Sequence, residues 1–200
     1  YPGFYNPEEI SLNELMEEDD YDLAEIGKVF SPQAKRIDQA AMEHFYLQVS
    51  EGRLFEEKDF IFNQGQTEIP VLLGSAYAKG LHVGDTLKAV LDSQMCEIKV
   101  VGILEENTLI ATDQILGTEG HPVTLDYSIV FPFFYINTVP QTEEEQTFAR
   151  NNYEEGIQGM IVVDSDAPRS EVNEAAKRIN SIFVKNGLSP ITAIGGSYGV

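Results

Sequence analysis

The sequence predicts an α+β fold of two lobes, a strand-helix sheet lobe built from both chain ends and a β-rich lobe inserted between them. Three observations predict it. Helical signals fall within residues 1–50 and 141–200. Residues 51–140 are instead a succession of short apolar runs punctuated by Gly, Asp and Pro, the pattern of a strand-rich unit. Near the C-terminus, an apolar run, a turn and an amphipathic segment follow one another from Gly159 to Gly187, a strand-helix unit that must lay its stripe on a sheet. The lobes are therefore drawn as 1–50 with 141–200, and 51–140.

Ser11 and Glu14 have the spacing of a capping box, which predicts a short helix from Ser11 to Glu18 with Leu12, Leu15 and Met16 inward. Ile37, Ala40, Ala41, His44 and Phe45 recur as one helical stripe that stops near Gly52. Pro70 to Leu73 is an apolar strand whose proline belongs at a strand's start or edge, and Gly74 closes it. Ser75 is placed to cap a single helical turn, with Gly80 as its left-handed end and Leu81 packing back. Gly84-Asp85 turns the chain, with the Asp85 side chain expected to bond amides two residues on. Leu87, Ala89 and Leu91 then alternate with Thr86, Lys88 and Val90 as in a half-buried strand. Asp92-Ser93 supplies the next turn. The partner strand alternates from Glu97 and becomes fully apolar at Val101-Gly102-Ile103-Leu104, as when both faces are covered.

Ser128 to Pro132 is a further apolar strand, and Phe131, Phe133, Phe134 and Tyr135 follow through it. Alternation sets Phe134 opposite the other three, so core packing takes part of the group and the remainder, among Phe133, Phe134 and Tyr135, is offered as a contact surface. Thr142 to Gln146 reads as an exposed acidic segment. Gly159 to Val163 reads as a buried strand, Asp164 to Pro168 as a turn with Pro168 in the first helical turn, and Ile191 to Ile194 as a last strand. Between them, Val172, Ala175, Ala176, Ile179, Ile182 and Phe183 make one helical face that Gly187 closes.

With 42% apolar residues, 200 residues can bury the core of one large or two small domains. No run approaches the ~20 apolar residues of a membrane helix. The formal charge of −20 repels phosphate backbones and anionic lipid, which excludes nucleic-acid binding and basic-patch docking on membranes. Cys96 has no partner for an internal disulfide, and among Met95, Ile98 and Val100 it reads as a small hydrophobe rather than a nucleophile.

Catalytic chemistry finds little support. His44, His82 and His121 share no metal-ligand spacing. Ser75 and Ser197 follow glycines without forming the GxSxG elbow. Asp164 and Asp166 lack the rest of a calcium loop, and the Glu17 to Asp22 cluster reads as a solvated charge run, with a calcium site as its rival. No GxxxxGK[ST] is present, and no cofactor is expected. Arg53 reads as an anchor that bonds strand or turn carbonyls.

Gly52-Arg53-Leu54-Phe55, Asp59, Pro70-Val71-Leu72-Leu73-Gly74, Gly84-Asp85 and Val100-Val101-Gly102-Ile103-Leu104, with Ser128-Ile129-Val130-Phe131-Pro132 downstream, resemble in order and spacing the extracytoplasmic core domain of MacB-type, or FtsX-like, ABC transporter permeases. On that resemblance Gly52, Arg53, Phe55, Pro70, Gly74, Gly84, Asp85, Gly102 and Pro132 are structural motif positions, with no catalytic, cofactor or metal residue. The resemblance implies a non-enzymatic domain on the outer face of the bacterial plasma membrane. It also implies a two-lobed domain whose converging termini suit insertion between membrane spans, one before Tyr1 and three after Val200. The expected partners are those spans, a cytoplasmic ATPase, and a peptide, lipoprotein, antibiotic or other amphiphile as substrate, while the isolated fragment is expected to be monomeric. The rival readings are a secreted or surface ligand-binding or adhesion module, and an enzyme with an unrecognised carboxylate pair.

Overall fold

The computed structural model describes residues 3–5, 21–23, 27–30, 33–63, 65–91, 94–111, 122–155, 164 and 166–187. The helix expected at 11–18, residues 17–20 of the acidic cluster, the turn at 92–93, His121, the strands expected at 159–163 and 191–194, and Ser197 lie outside them. In chain order the elements are β1 (Gly3–Tyr5), β2 (Tyr21–Leu23), β3 (Gly27–Phe30), β4 (Gln33–Ile37), α1 (Gln39–His44), β5 (Val49–Gly52), β6 (Ile61–Phe62), β7 (Glu68–Leu73) and β8 (Thr86–Leu91). They continue with β9 (Gln94–Leu104), β10 (Leu109–Ala111), β11 (Pro122–Thr124), β12 (Ser128–Pro132), β13 (Tyr135–Ile136), α2 (Glu143–Glu155) and α3 (Arg169–Lys185). The fold is α+β.

The main sheet runs β2-β3-β1-β8-β9-β7-β12-β4, with β5 also paired to β9. It is mixed: β7 is parallel to β9 and β12 to β4, whereas β8 and β9 are antiparallel from Thr86↔Lys99 to Leu91↔Gln94. Alternation in β8 is as its sequence predicts, with Leu87, Ala89 and Leu91 buried. Pro70 is tolerated for a physical reason that the register reveals. β12 pairs with β7 at Leu72 and Leu73, and two residues further on the same register would oppose Pro132 to Pro70, neither of which has an N–H to donate.

Cores cover both faces of this sheet. On one, Val71, Leu73, Ile98, Val100, Ile129 and Phe131 pack with Tyr77, Leu81, Phe134 and Phe148. On the other, Leu72, Val101, Leu104 and Val130 pack with Ile37, Met42, Phe55 and Phe60. Asp38 caps α1 by accepting the Ala41 amide at 2.7 Å, so the helical stripe begins later than its sequence suggests. Ile37 belongs to β4, Met42 is the buried residue of α1, and His44 is exposed.

The division into lobes differs from the sequence expectation. One unit comprises Tyr1–Ile110 with Val123–Ile157, the other Ala111–Pro122 with Gln158–Val200. β1 pairs with β8 and β4 with β12, so strands from residues 1–50 complete the sheet of the middle segment rather than a separate one. Parallel pairing of β4 with β12 leaves no local turn signal between them, which is why sequence did not disclose it.

The segment at Thr142 to Gln146 is exposed as expected, apart from half-buried Glu145, but it starts α2 rather than running as a connecting stretch. Thr142 Oγ1 accepts the Glu145 amide at 3.1 Å and Glu145 accepts the Thr142 amide at 3.2 Å, a complete capping box. The helix buries Phe148, and Asn152 donates to the Phe134 carbonyl at 3.0 Å. In the second unit, the turn expected before α3 is present, with Ala167 N donating to Asp164 O at 2.9 Å. Pro168 is the N-cap residue rather than part of the first turn. Val172, Ala175, Ala176, Ile179 and Phe183 of α3 are half-buried, but Ile182, assigned to the same stripe, is 60% exposed.

Phe134 is fully buried against Phe62 and Phe148, with ring centroids 5.4 and 6.4 Å away. Phe134→Ala is predicted to lower stability by about 3–5 kcal/mol. A urea midpoint unchanged from the parent would show that this ring does not join α2 to the sheet.

Candidate functional site

Five of the residues singled out by motif, Gly52, Arg53, Gly84, Asp85 and Gly102, meet at one place on β9. Gly52 pairs with Gly102, and the Arg53 amide donates to the Val101 carbonyl at 2.9 Å. Gly52 has φ +78°, and a Cβ on it would collide with Val101 O and stand 2.7 Å from Val83 Cγ2. A Cβ on Gly102 would collide with the Arg53 carbonyl. The two backbones thus cross where neither tolerates a side chain.

The turn before β8 closes on the same stretch. His82 O accepts from Asp85 N at 3.1 Å around Gly84, whose φ is +98°. Gly84 N donates to Val100 O at 2.8 Å and Val100 N to Asp85 O at 2.9 Å. The Asp85 carboxylate reaches three residues back to the His82 amide at 2.8 Å, rather than forward as its sequence suggests. Gly84, Asp85, Gly52, Arg53 and Gly102 therefore all bear on β9 between Val100 and Gly102.

Arg53 holds the chain that leaves this crossing. Its guanidinium donates to the Leu54 carbonyl at 2.9 Å and to Asp59 at 2.5 Å, and Asp59 also accepts the Glu56 amide at 2.8 Å. Donation to the Asp59 carboxylate raises the Arg53 pKa above its ordinary value, against the opposing effect of burial. Phe55 and Phe60 meet edge to face at 5.6 Å and bury one side of this bend.

A second corner surrounds Gly74, whose amide donates to Ser128 O at 2.9 Å. Ser75 does not cap the turn that follows it; the N-cap residue is Gly74, and Ser75 Oγ donates to Asp126 Oδ1 at 3.0 Å. Gly80 ends that turn at φ −140°, not in the left-handed region. Asp126 also accepts the Asn107 amide at 2.8 Å. Burial opposes its charge, but hydrogen bonds from Thr124, Asn107 and Ser75 outweigh burial and hold its pKa below the ordinary carboxylate value. Tyr77 lies beneath, donating to Tyr127 O at 3.3 Å, and burial pushes its pKa up to about 12.

The aromatic run separates by burial. β12 ends at Pro132, which breaks the alternation expected through Tyr135. Phe134 is consequently core with Phe131 and is no contact residue, while Phe133 is half-buried and Tyr135 is 58% exposed, their rings meeting at 6.3 Å. Beside them an open groove of about 390 Å³ is lined by Phe62, Met95, Ile136 and Phe148 together with Glu144 and Glu145. Sequence reasoning missed this groove, although the Thr142-to-Glu145 capping spacing was there to signal its helical wall.

Among the described residues no three His, Cys, Asp or Glu side chains are grouped to hold a metal ion. His44 and His82 are exposed, and Cys96 packs half-buried against the core. No described helix is long and apolar enough to cross a membrane. No family model, curated protein or solved structure matches this chain.

One pair of variants tests the crossing, and a single variant tests the corner. Gly84→Ala is expected to cost about 1–2 kcal/mol, because the left-handed backbone is strained but a Cβ there meets nothing within 4 Å. Gly52→Ala carries the same strain plus the collision with Val101 and should cost more; equal urea midpoints would remove the close approach as a constraint. For Asp126, a pKa lowered by folding gives stability that is fully present above the ordinary carboxylate value and is lost as pH falls from there through the lowered pKa. Asp126→Asn should flatten the acid limb of the stability curve, and an acid limb identical to the parent's would show that the corner contributes nothing.

Proposed function

We propose that this chain is a non-catalytic extracytoplasmic domain of a MacB-type, FtsX-like ABC transporter permease, which transmits motion and contacts a peptide or other amphiphilic substrate. One observation carries the reading: five of the motif residues, Gly52, Arg53, Gly84, Asp85 and Gly102, converge on a single stretch of β9. They act there through backbone geometry and packing rather than proton transfer. A domain that passes force between membrane helices and an outer surface needs such a stiff joint more than it needs a reactive group.

On this reading the parent polypeptide lies in the bacterial plasma membrane with this domain outside, and a separate cytoplasmic ATPase supplies the energy. The −20 charge opposes self-association, so the isolated chain is expected to sediment as a monomer. A secreted ligand-binding module is the second reading, favoured by the open groove beside Phe62 and Phe148.

The parent coding sequence separates the two. Four membrane spans, one before Tyr1 and three after Val200, together with an ATP-binding subunit that copurifies from detergent-solubilised membranes, are the expected result. A parent without those spans overturns the transporter reading. Within such a permease, a disulfide stapling this domain to its neighbour should stop transport with the fold intact, and full transport by the completely cross-linked protein would remove the lever role.

A further inference from the structure

The groove beside α2 lies within the unit that carries the main sheet, and its volume of about 390 Å³ is at the lower end of the ~300–1,000 Å³ of ligand clefts. Its apolar wall is set by Phe62 and Phe148, whose rings meet tilted at 34° with centroids 4.5 Å apart, and continued by Ile136 and by Met95, which is 49% exposed. An unbranched thioether left half in solvent can adjust to a range of apolar shapes. Glu144 and Glu145 also line the groove, and among the described lining residues none is Lys, Arg or His. Glu145 is fixed in place because its carboxylate accepts the amides of Gln141 and Thr142 at 2.6 and 3.2 Å.

These features select a ligand by chemistry. An anion meets two carboxylates in a chain of charge −20. A purely apolar ligand would strip water from those carboxylates without replacing it. A cation without apolar groups would leave Phe62, Met95 and Phe148 uncovered. A ligand that joins positive charge to apolar side chains complements both parts.

We propose that this groove binds a cationic amphipathic peptide segment, with an apolar side chain seated on Phe62, Met95 and Phe148 and a Lys or Arg side chain at Glu144 and Glu145. The binding is a property of this chain and is measured on it, so the outcome stands apart from the span count that tests the transporter reading.

The chain has no tryptophan, so a single Trp in a probe peptide reports binding without background. The probe is a short peptide of alternating Lys and Leu with one Trp, titrated with the 200-residue chain at an ionic strength of about 0.15 M, where diffuse attraction is largely screened. Saturable one-to-one binding is expected, weakened at least about tenfold when Ser replaces either every Lys or every Leu. Met95→Lys and Glu144→Lys should each weaken it by a similar factor, with circular dichroism unchanged. Glu106→Lys, the same charge change as Glu144→Lys on an exposed turn away from the groove, should leave it within about twofold. Equal weakening by Glu106→Lys and Glu144→Lys would reduce the effect to general acidity and overturn the proposal. So would tighter binding of a Glu-Leu peptide, the absence of binding, or a dimer of the chain that Met95→Lys abolishes.

Discussion

The extra residue in β9 is the constraint on which the rest of this structure depends. Val71 pairs with Val100, but Leu72 pairs with Gly102, so Val101 is inserted into the ladder. The shift turns Val100 and Ile103 toward one core and Val101 and Leu104 toward the other. A regular strand would have carried Gly102 onto the face that Ile103 now fills. The bulge also frees the Val101 carbonyl for the Arg53 amide, which brings Gly52 against Gly102. β8 pairs with the first half of β9 and β5 with the last residues, so both neighbours are registered by the same irregularity.

Charge contributes little to this arrangement. Lys58 with Glu56 and Lys99 with Glu68 are exposed, solvent-screened pairs that contribute little. The pair between Arg53 and Asp59 is different because the Asp59 side chain is only 7% exposed, yet Arg53 reaches solvent, which keeps its worth below the ~3–5 kcal/mol lost when a fully buried pair is broken. A net charge of −20 works against compaction. Packing on two faces of one sheet therefore has to carry the fold, and the residues that fix strand register matter more than any ion pair.

What could be read from sequence follows from how local each signal is. The alternation of Leu87, Ala89 and Leu91, the Gly84 turn and the two-sided Val101-to-Leu104 run are short-range patterns, and the structure has them. The pairing of β4 with β12 joins residues nearly a hundred positions apart in parallel, so no turn announces it. The start of α2 was obscured by composition: three successive glutamates read as solvated charge, although acids favour the first turn of a helix. At the candidate site, glycine identity marked Gly52, Gly84 and Gly102 as special positions. Their convergence on β9 is a tertiary fact that spacing alone does not contain.

The groove and the crossing on β9 are joined by a row of aromatic contacts. Phe148 of α2 packs tilted against Phe62 in the groove wall and also meets Phe134, which packs in the same core as Val100 and Ile103. Asn152 adds a hydrogen bond to the Phe134 carbonyl. An occupant pressed on Phe62 and Phe148 therefore adds its contacts to the rings that dock α2 on the sheet. By mass action such a ligand stabilises the docked state over any state in which α2 has left, to the extent of its differential affinity. Occupancy of the groove is in this way coupled to the integrity of the core that β9 organises, through packing that is continuous from Phe62 to Val100.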